Sequence, residues 1–229
     1  MKGTLLTLLL LCGAVDLSSQ TILQQFAAIS SGAGEMSDLG VPNPTANGNT
    51  IIVMPGQLSP GATVLSITDD APDGSNTYKK VAAATSSCPT GGLEIWYCEK
   101  CNPGVTELKF HLSGHVKGSI NTFLEVSNLS LTSVLDGSGV QVSDGTATNA
   151  GIEVGPSIKT TATDFVVARY FSVTPPTPSG VTPATWTHKP SYVYTANAAA
   201  GTYQPTLQGA KPGSKFCMSV AAFKIADSQ

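Results

Sequence analysis

Charge is scarce in this chain. Asp, Glu, Lys and Arg make up 12% of its 229 residues and leave a net charge of -3. That excludes a disordered chain, which stays unfolded through low hydrophobicity combined with high charge. It also excludes a basic surface for nucleic acid and a polybasic membrane tether, because the longest basic run is the pair Lys79 and Lys80. Histidine is confined to His111, His115 and His188, and no G-x-S-x-G elbow occurs. Nothing therefore sets a serine nucleophile beside an oriented base. No long interval carries a helical apolar stripe, and no apolar run is long enough to span a bilayer as a helix. A second C-x-x-C to complete a zinc site is missing as well.

What the chain has in quantity is turn residues, with 23 Gly and 15 Pro. Between them lie apolar runs of strand length: TIIVM, TVLSI, NTYKKVAAA, LEIWYC, VTELKFHL, SINTFLEVS, DFVVARYFSV, SYVYTA and SKFCMSVAAFK. Their spacing, with Gly, Pro, Asn and Asp between, predicts an antiparallel all-β sandwich of jelly-roll or immunoglobulin-like type with about 9–11 strands. Residues 106–112 alternate, with Leu108, Phe110 and Leu112 directed to a core and Glu107, Lys109 and His111 to water. Residues 164–173 are more continuously apolar and predict a central strand.

The N-terminus has the composition of a secretory signal peptide over residues 1–19. Lys2 gives the positive start, residues 5–11 the apolar stretch, and Gly13 and Ala14 the small residues before cleavage. Cys12 lacks the small preceding residue of a lipidation site, since Leu11 stands there. Residues 20–48 follow as a leader, with a short helical turn expected around Ile22, Leu23, Phe26, Ala27 and Ile29. Residues 49–226 form one sandwich domain, with irregular connections at 136–155 and 175–187. The other cysteines, Cys88, Cys98, Cys101 and Cys217, are even in number, which in an exported chain means disulfides with three connectivities open. The C-x-x-C of Cys98 and Cys101 ends a strand and enters the turn Asn102-Pro103-Gly104, whereas a redox pair opens a helix.

In order along the chain come SITDD with NTYKKV, LEIWYCEKC with NPGVTELKF, FLEVSNLSLTSVLDGSG, a stretch ending TTATDFVVA, and SVAAFK. Together they resemble a group of secreted bacterial β-sandwich domains with a TDN-NTY, IWYA, EYSG and AAFK pattern. The resemblance covers about residues 50–224. It implies an exported jelly-roll or immunoglobulin-like sandwich, alone or joined to other surface modules, and brings no catalytic residues. The chain departs from the pattern at Cys98 and Cys101, where the pattern has Ala and Val, so the C-x-x-C is an addition to the scaffold. Asp73, Gly74 and Ser75 also lengthen one hairpin, and SNL stands in place of SGL.

Several residues invite chemistry. Trp96, Trp186, Tyr192 and Tyr194, with Tyr203, are candidates for stacking on sugar rings; their plainer role is to cover the ends of the sandwich. Trp186, Tyr192 and Tyr194 lie in a Thr/Pro-rich segment expected to be exposed. Asp69, Asp70 and Asp73, with Asn76, gather oxygen donors in one loop as a calcium site does, without the Glu and spacing of an EF-hand. The same residues are ordinary turn formers, and no other cofactor is expected. His111 and His115 fall about 13 Å apart on a strand, too far to share a metal. Glu94 and Glu125, each sharing a strand face with an aromatic, are the candidate carboxylate pair for glycoside hydrolysis. Asn128-Leu129-Ser130 is a glycosylation sequon. The expected function is a secreted, non-catalytic sandwich that binds extracellular glycan or a cell surface. The alternatives are a self-associating structural subunit of an extracellular assembly, with residues 18–50 as a donor segment, and a glycoside-active enzyme.

Overall fold

Successive side chains of a strand point to opposite faces, and in this protein both faces of the central strands are buried. The structure, a computed structural model, describes residues 20–30, 34–57, 62–83, 93–116, 118–136, 141–174, 181–182 and 186–226. The expected signal peptide at residues 1–19 and Cys88 lie outside these.

All regular elements of the described residues are strands: β1 (Ile22–Ser30), β2 (Gly34–Gly40), β3 (Thr50–Gln57), β4 (Val64–Asp69), β5 (Lys79–Ala83), β6 (Glu94–Cys98), β7 (Glu107–Val116), β8 (Ser119–Val126), β9 (Gln141–Thr146), β10 (Glu153–Val154), β11 (Ile158–Thr160), β12 (Asp164–Ser172), β13 (Val181–Thr182), β14 (Thr187–Lys189), β15 (Tyr192–Ala198), β16 (Gly201–Tyr203), β17 (Thr206–Leu207) and β18 (Lys215–Lys224). The all-β antiparallel sandwich is the expected class, and each of the anticipated apolar runs is a strand. The total of 18 exceeds the expected range. Much of the excess is ladders of two or three residues, which are too short to leave a periodic signal.

A middle sheet, ordered β1-β8-β3-β6-β5, has the sheet β2-β7-β4 on one face and the sheet β14-β15-β12-β18-β9 on the other. Ile51 and Val53 of β3 join Trp96, Phe123, Leu108 and Phe110 in a first core. Their neighbours Ile52 and Met54 join Ile95, Tyr97, Phe165, Ala221 and Phe223 in a second. The third core lies on the far face of β12 and β18, where Val166, Ala168, Met218 and Val220 meet Ile158 and Leu207 from the small outer strands and Trp186 from the residue before β14. The described chain is thus a stack of β layers with two doubly covered sheets. The alternation expected at residues 106–112 is present, with Leu108, Phe110 and Leu112 buried and Lys109 exposed.

One expectation for the N-terminal segment is corrected. The helical turn around Ile22–Ile29 is strand β1, paired with β8 from Ile22↔Val126 to Ser30↔Ser119. The leader is built into the stack, because β2 pairs with β7 in the adjacent sheet. The physical reason is that β7 and β8 otherwise end two sheets with unpaired amides and carbonyls, and the backbone bonds on offer there outweigh a weak helical spacing.

Arg169, the only arginine of the chain, is buried between the middle sheet and β12. Its guanidinium donates to Thr122 Oγ1 (3.1 Å), Ser191 O (3.0 Å) and Ile120 O (3.0 Å). Burial lowers its pKa to about 10. Gly56 makes room for it, since a β-carbon there would lie 3.0 Å from Arg169 Nη2. Arg169→Ala leaves a cavity and two carbonyls without their donor, and is expected to cost about 3 kcal/mol. The check is a lower urea midpoint at unchanged slope.

Candidate functional site

Glu94 and Glu125 sit on the same face of the middle sheet, as alternation requires, and both are buried. Glu94 accepts from Val64 N (3.1 Å), Lys80 Nζ (3.2 Å) and Trp96 Nε1 (2.6 Å). Lys80 also donates to Val64 O and lies 5.0 Å from the Trp96 ring centroid. Glu125 accepts from Gln24 Nε2, Ala46 N and Asn49 Nδ2, each at 2.7 Å. The two acids do not form a pair. Glu125 is level with Ile51 of β3, whereas Glu94 follows the Gly56↔Leu93 bridge at the other end of that strand. Four residues along and two strands across separate them by about 16 Å, beyond the roughly 5–9.5 Å that glycosidases use. Their carboxylates tie loops and neighbouring sheets to the middle sheet.

The acidic loop at Asp69 is a clasp. Asp69 Oδ1 accepts from Ala71 N and Asn76 N, and Oδ2 from Asn76 Nδ2 (2.8 Å) and Tyr78 Oη (2.7 Å). Asp70 accepts from Thr106 N (2.8 Å), Glu107 N (2.9 Å) and Thr106 Oγ1 (2.5 Å). Burial opposes the charged form of Asp70, but the bonds from Thr106 and Glu107 outweigh it and lower its pKa. Burial, with the bond to Asp69, pushes the Tyr78 phenol up. Asn102 N donates to Asn76 Oδ1 (2.7 Å), which ties this loop to the turn after β6. Gly104 lets the two loops touch: its φ is +86° and a β-carbon would meet Pro72 at 3.0 Å. Asp73 is exposed beyond the clasp. Asp69 is turned toward amides of its own turn and Asp70 toward amides at the start of β7, with Asp73 outside both sets.

The turn after β6 is closed by a Cys98–Cys101 disulfide. Cys217 is buried and also disulfide-bonded. Beside the turn lies a polar groove of about 320 Å³ lined by Ser75, Asn76, Thr77, Lys79, Glu99 and Lys100. Its amides bond one another, and Lys79 is paired with Glu99 at 2.5 Å.

The aromatic candidates are scattered, and the expectation that Trp186 and Tyr192 are exposed is corrected. Trp96 is 5% exposed in the first core, Tyr192 4% in the second and Trp186 5% in the third. Tyr194 is half-buried between Tyr192, at 6.2 Å between centroids, and Phe165, at 5.6 Å. Tyr203 is half-buried and bonds Ala199 O. Three layers of apolar surface need large rings to fill them, and these rings fill them. His111 contacts Thr68 and His115 faces Glu35, on separate partners. His188 bonds the hydroxyl of Tyr170 at 2.9 Å.

Sequence reasoning missed a set of buried acids. Asp164, at the head of β12, is raised to about 7 by burial and then by a hydrogen bond and charge from Asp136. Asp136 also accepts from Thr161 N (2.8 Å) and Thr161 Oγ1 (3.0 Å). Glu153 is raised to about 7 by burial, against a bond from Ser172. Their only sequence signal is an acid at the border of an apolar run, which is also what an ordinary strand end looks like.

No family model matches the chain, and no curated protein matches it in sequence. Among solved structures, the STIV MCP overlays at TM-score 0.23 and 6% identity, covering 88% of this chain and 97% of that one. The PBSX exported protein XepA overlays at TM-score 0.24 and 9% identity, covering 89% and 86%. Likeness at that level carries no argument.

Asp69→Ala is expected to cost about 2 kcal/mol by releasing partly buried donors, while calcium or a chelator leaves the melting temperature of the natural chain unchanged. A melting temperature that rises with calcium contradicts the clasp. The acids also set a pH profile. Asp164 and Glu153, raised from 3.8 and 4.5 to about 7, stabilise fully below the lower values and lose that contribution as pH rises through 7. Asp70 and Glu99 are lowered, Glu99 by its Lys79 partner, and lose their contribution as pH falls. Stability should peak at about pH 4.5 and decline toward 7, less steeply in Asp164→Asn. Urea midpoints across that range check it, and a flat profile contradicts the assignment.

Proposed function

We propose that this chain is a non-catalytic structural subunit that works outside the cell and assembles through its strand edges. One observation carries the reading: nine-residue β1 lies at the edge of the middle sheet with no charge in its sequence, ILQQFAAIS. Export is supported by the signal-like composition of residues 1–19 and by the Cys98–Cys101 disulfide, since such bonds persist in oxidising compartments. Absence of catalysis is supported by the wide separation of Glu94 and Glu125 and by the internal partners that each acid already holds.

Glycan or cell-surface binding stands second. Its support is the polar groove beside the disulfide, where Ser75, Thr77 and Lys100 are exposed. The groove offers no ring for stacking, which weakens it as a sugar site. Light scattering on the exported chain should give masses above the monomer that rise with concentration. A polysaccharide panel should show neither retention nor release of reducing ends. A monomer at every concentration, or retention that Lys100→Ala abolishes, turns the reading toward glycan.

A further inference from the structure

Sheet edges differ in how they are guarded. Charge on an edge strand, a bulge within it or very short length blocks pairing with another chain. β5 carries Lys79 and Lys80 with a register shift before Ala82. β2 carries Glu35 and Asp38, β4 ends in Asp69, and both are bulged. β9 contains Asp144 and Gly145, and β14 is three residues long with Lys189. Among the described edge strands longer than three residues, β1 alone has no charged residue, and it has neither Pro nor Gly.

β1 is also held in place. Gln24 bonds Glu125 and Asn43 O, and Gln25 accepts from the hydroxyl of Tyr192. Its one register shift lies between Ile22 and Gln24, which leaves residues 24–30 in regular pairing with β8. Leu23 is 50% exposed and Phe26 37%, and Ala27, the centre of the regular run, is exposed and small.

Building on the assembly reading, we infer that the occupant of this edge is β1 of a second copy. The copies pair antiparallel about a two-fold axis at Ala27 and join two five-stranded middle sheets into one. A neutral strand suits itself as a partner, because a two-fold axis at Ala27 places that residue opposite its own copy, where a charge would face its like. Each copy supplies the amides and carbonyls that the other lacks, and Phe26 of each lies diagonal to Phe26 of the other. A partner recognised by charge finds nothing on β1 to read.

The test places charge at the axis of the full chain. Ala27→Lys and Ala27→Glu, measured separately by sedimentation, should each self-associate roughly tenfold more weakly than the natural chain. An equimolar mixture should regain association, because Lys then faces Glu. Regain on mixing also shows that both variants fold. If each variant associates as the natural chain does, β1 is not the interface, though the assembly reading stands on another surface. If the variants weaken and the mixture does not recover, two-fold pairing at Ala27 is wrong. If the natural chain is monomeric at every concentration, the assembly reading falls and this inference with it.

Discussion

Burying both faces of a sheet is the constraint on which the rest of this structure depends. A sheet with one wet face can turn its polar side chains to water, and the middle sheet here has no such face. Each polar group along β6 and β8 therefore needs a partner supplied by the protein, because an unpaired buried carboxylate or amide costs several kcal/mol. Glu94 takes its donors from a neighbouring amide, an ammonium and an indole; Glu125 takes them from the chain leading into β3. Ser119 and Asn121 bond Ser37 across the first core. Groups that look like chemistry in a line of sequence are here the fasteners between layers.

The same logic reaches the loops. A stack of sheets leaves its connections at the ends, where the strands no longer dictate geometry. Asp69 and Asp70 replace that guidance by gathering amides from their own turn and from the start of β7. The disulfide then closes the turn that Asn102 brings against them. Carboxylates ringed by amides are held in place by the backbone itself.

Much of the architecture was legible in the sequence. The alternation of Leu108, Phe110 and Leu112 and the largely apolar run of β12 carry over directly. What alternation does not carry is the identity of the second face. A period of two separates Trp96 from Ile95 but is silent on whether the far side meets water or another sheet, so Trp96, Trp186 and Tyr192 look equally suited to a surface or a core. β1 and β2 were obscured for a different reason: their partners lie far along the chain, and the residues that make them strands are those of β7 and β8. The pairing of Asp136 with Asp164 is likewise a property of two distant segments brought together by β18.

The first of the described strands waits long for its partner. β1 begins at Ile22, its ladder partner β8 ends at Val126, and the hydroxyl that holds Gln25 belongs to Tyr192. Synthesis runs from the N-terminus, so roughly a hundred residues must follow β1 before its ladder can form within the same chain, and contacts at such separation form slowly. For all of that interval β1 is an uncharged strand without a companion, and a neighbouring chain at the same stage presents an identical one. If β1 pairs between copies as proposed, local chain concentration and the rate at which β8 arrives set whether its first bonds are made within the chain or outside it.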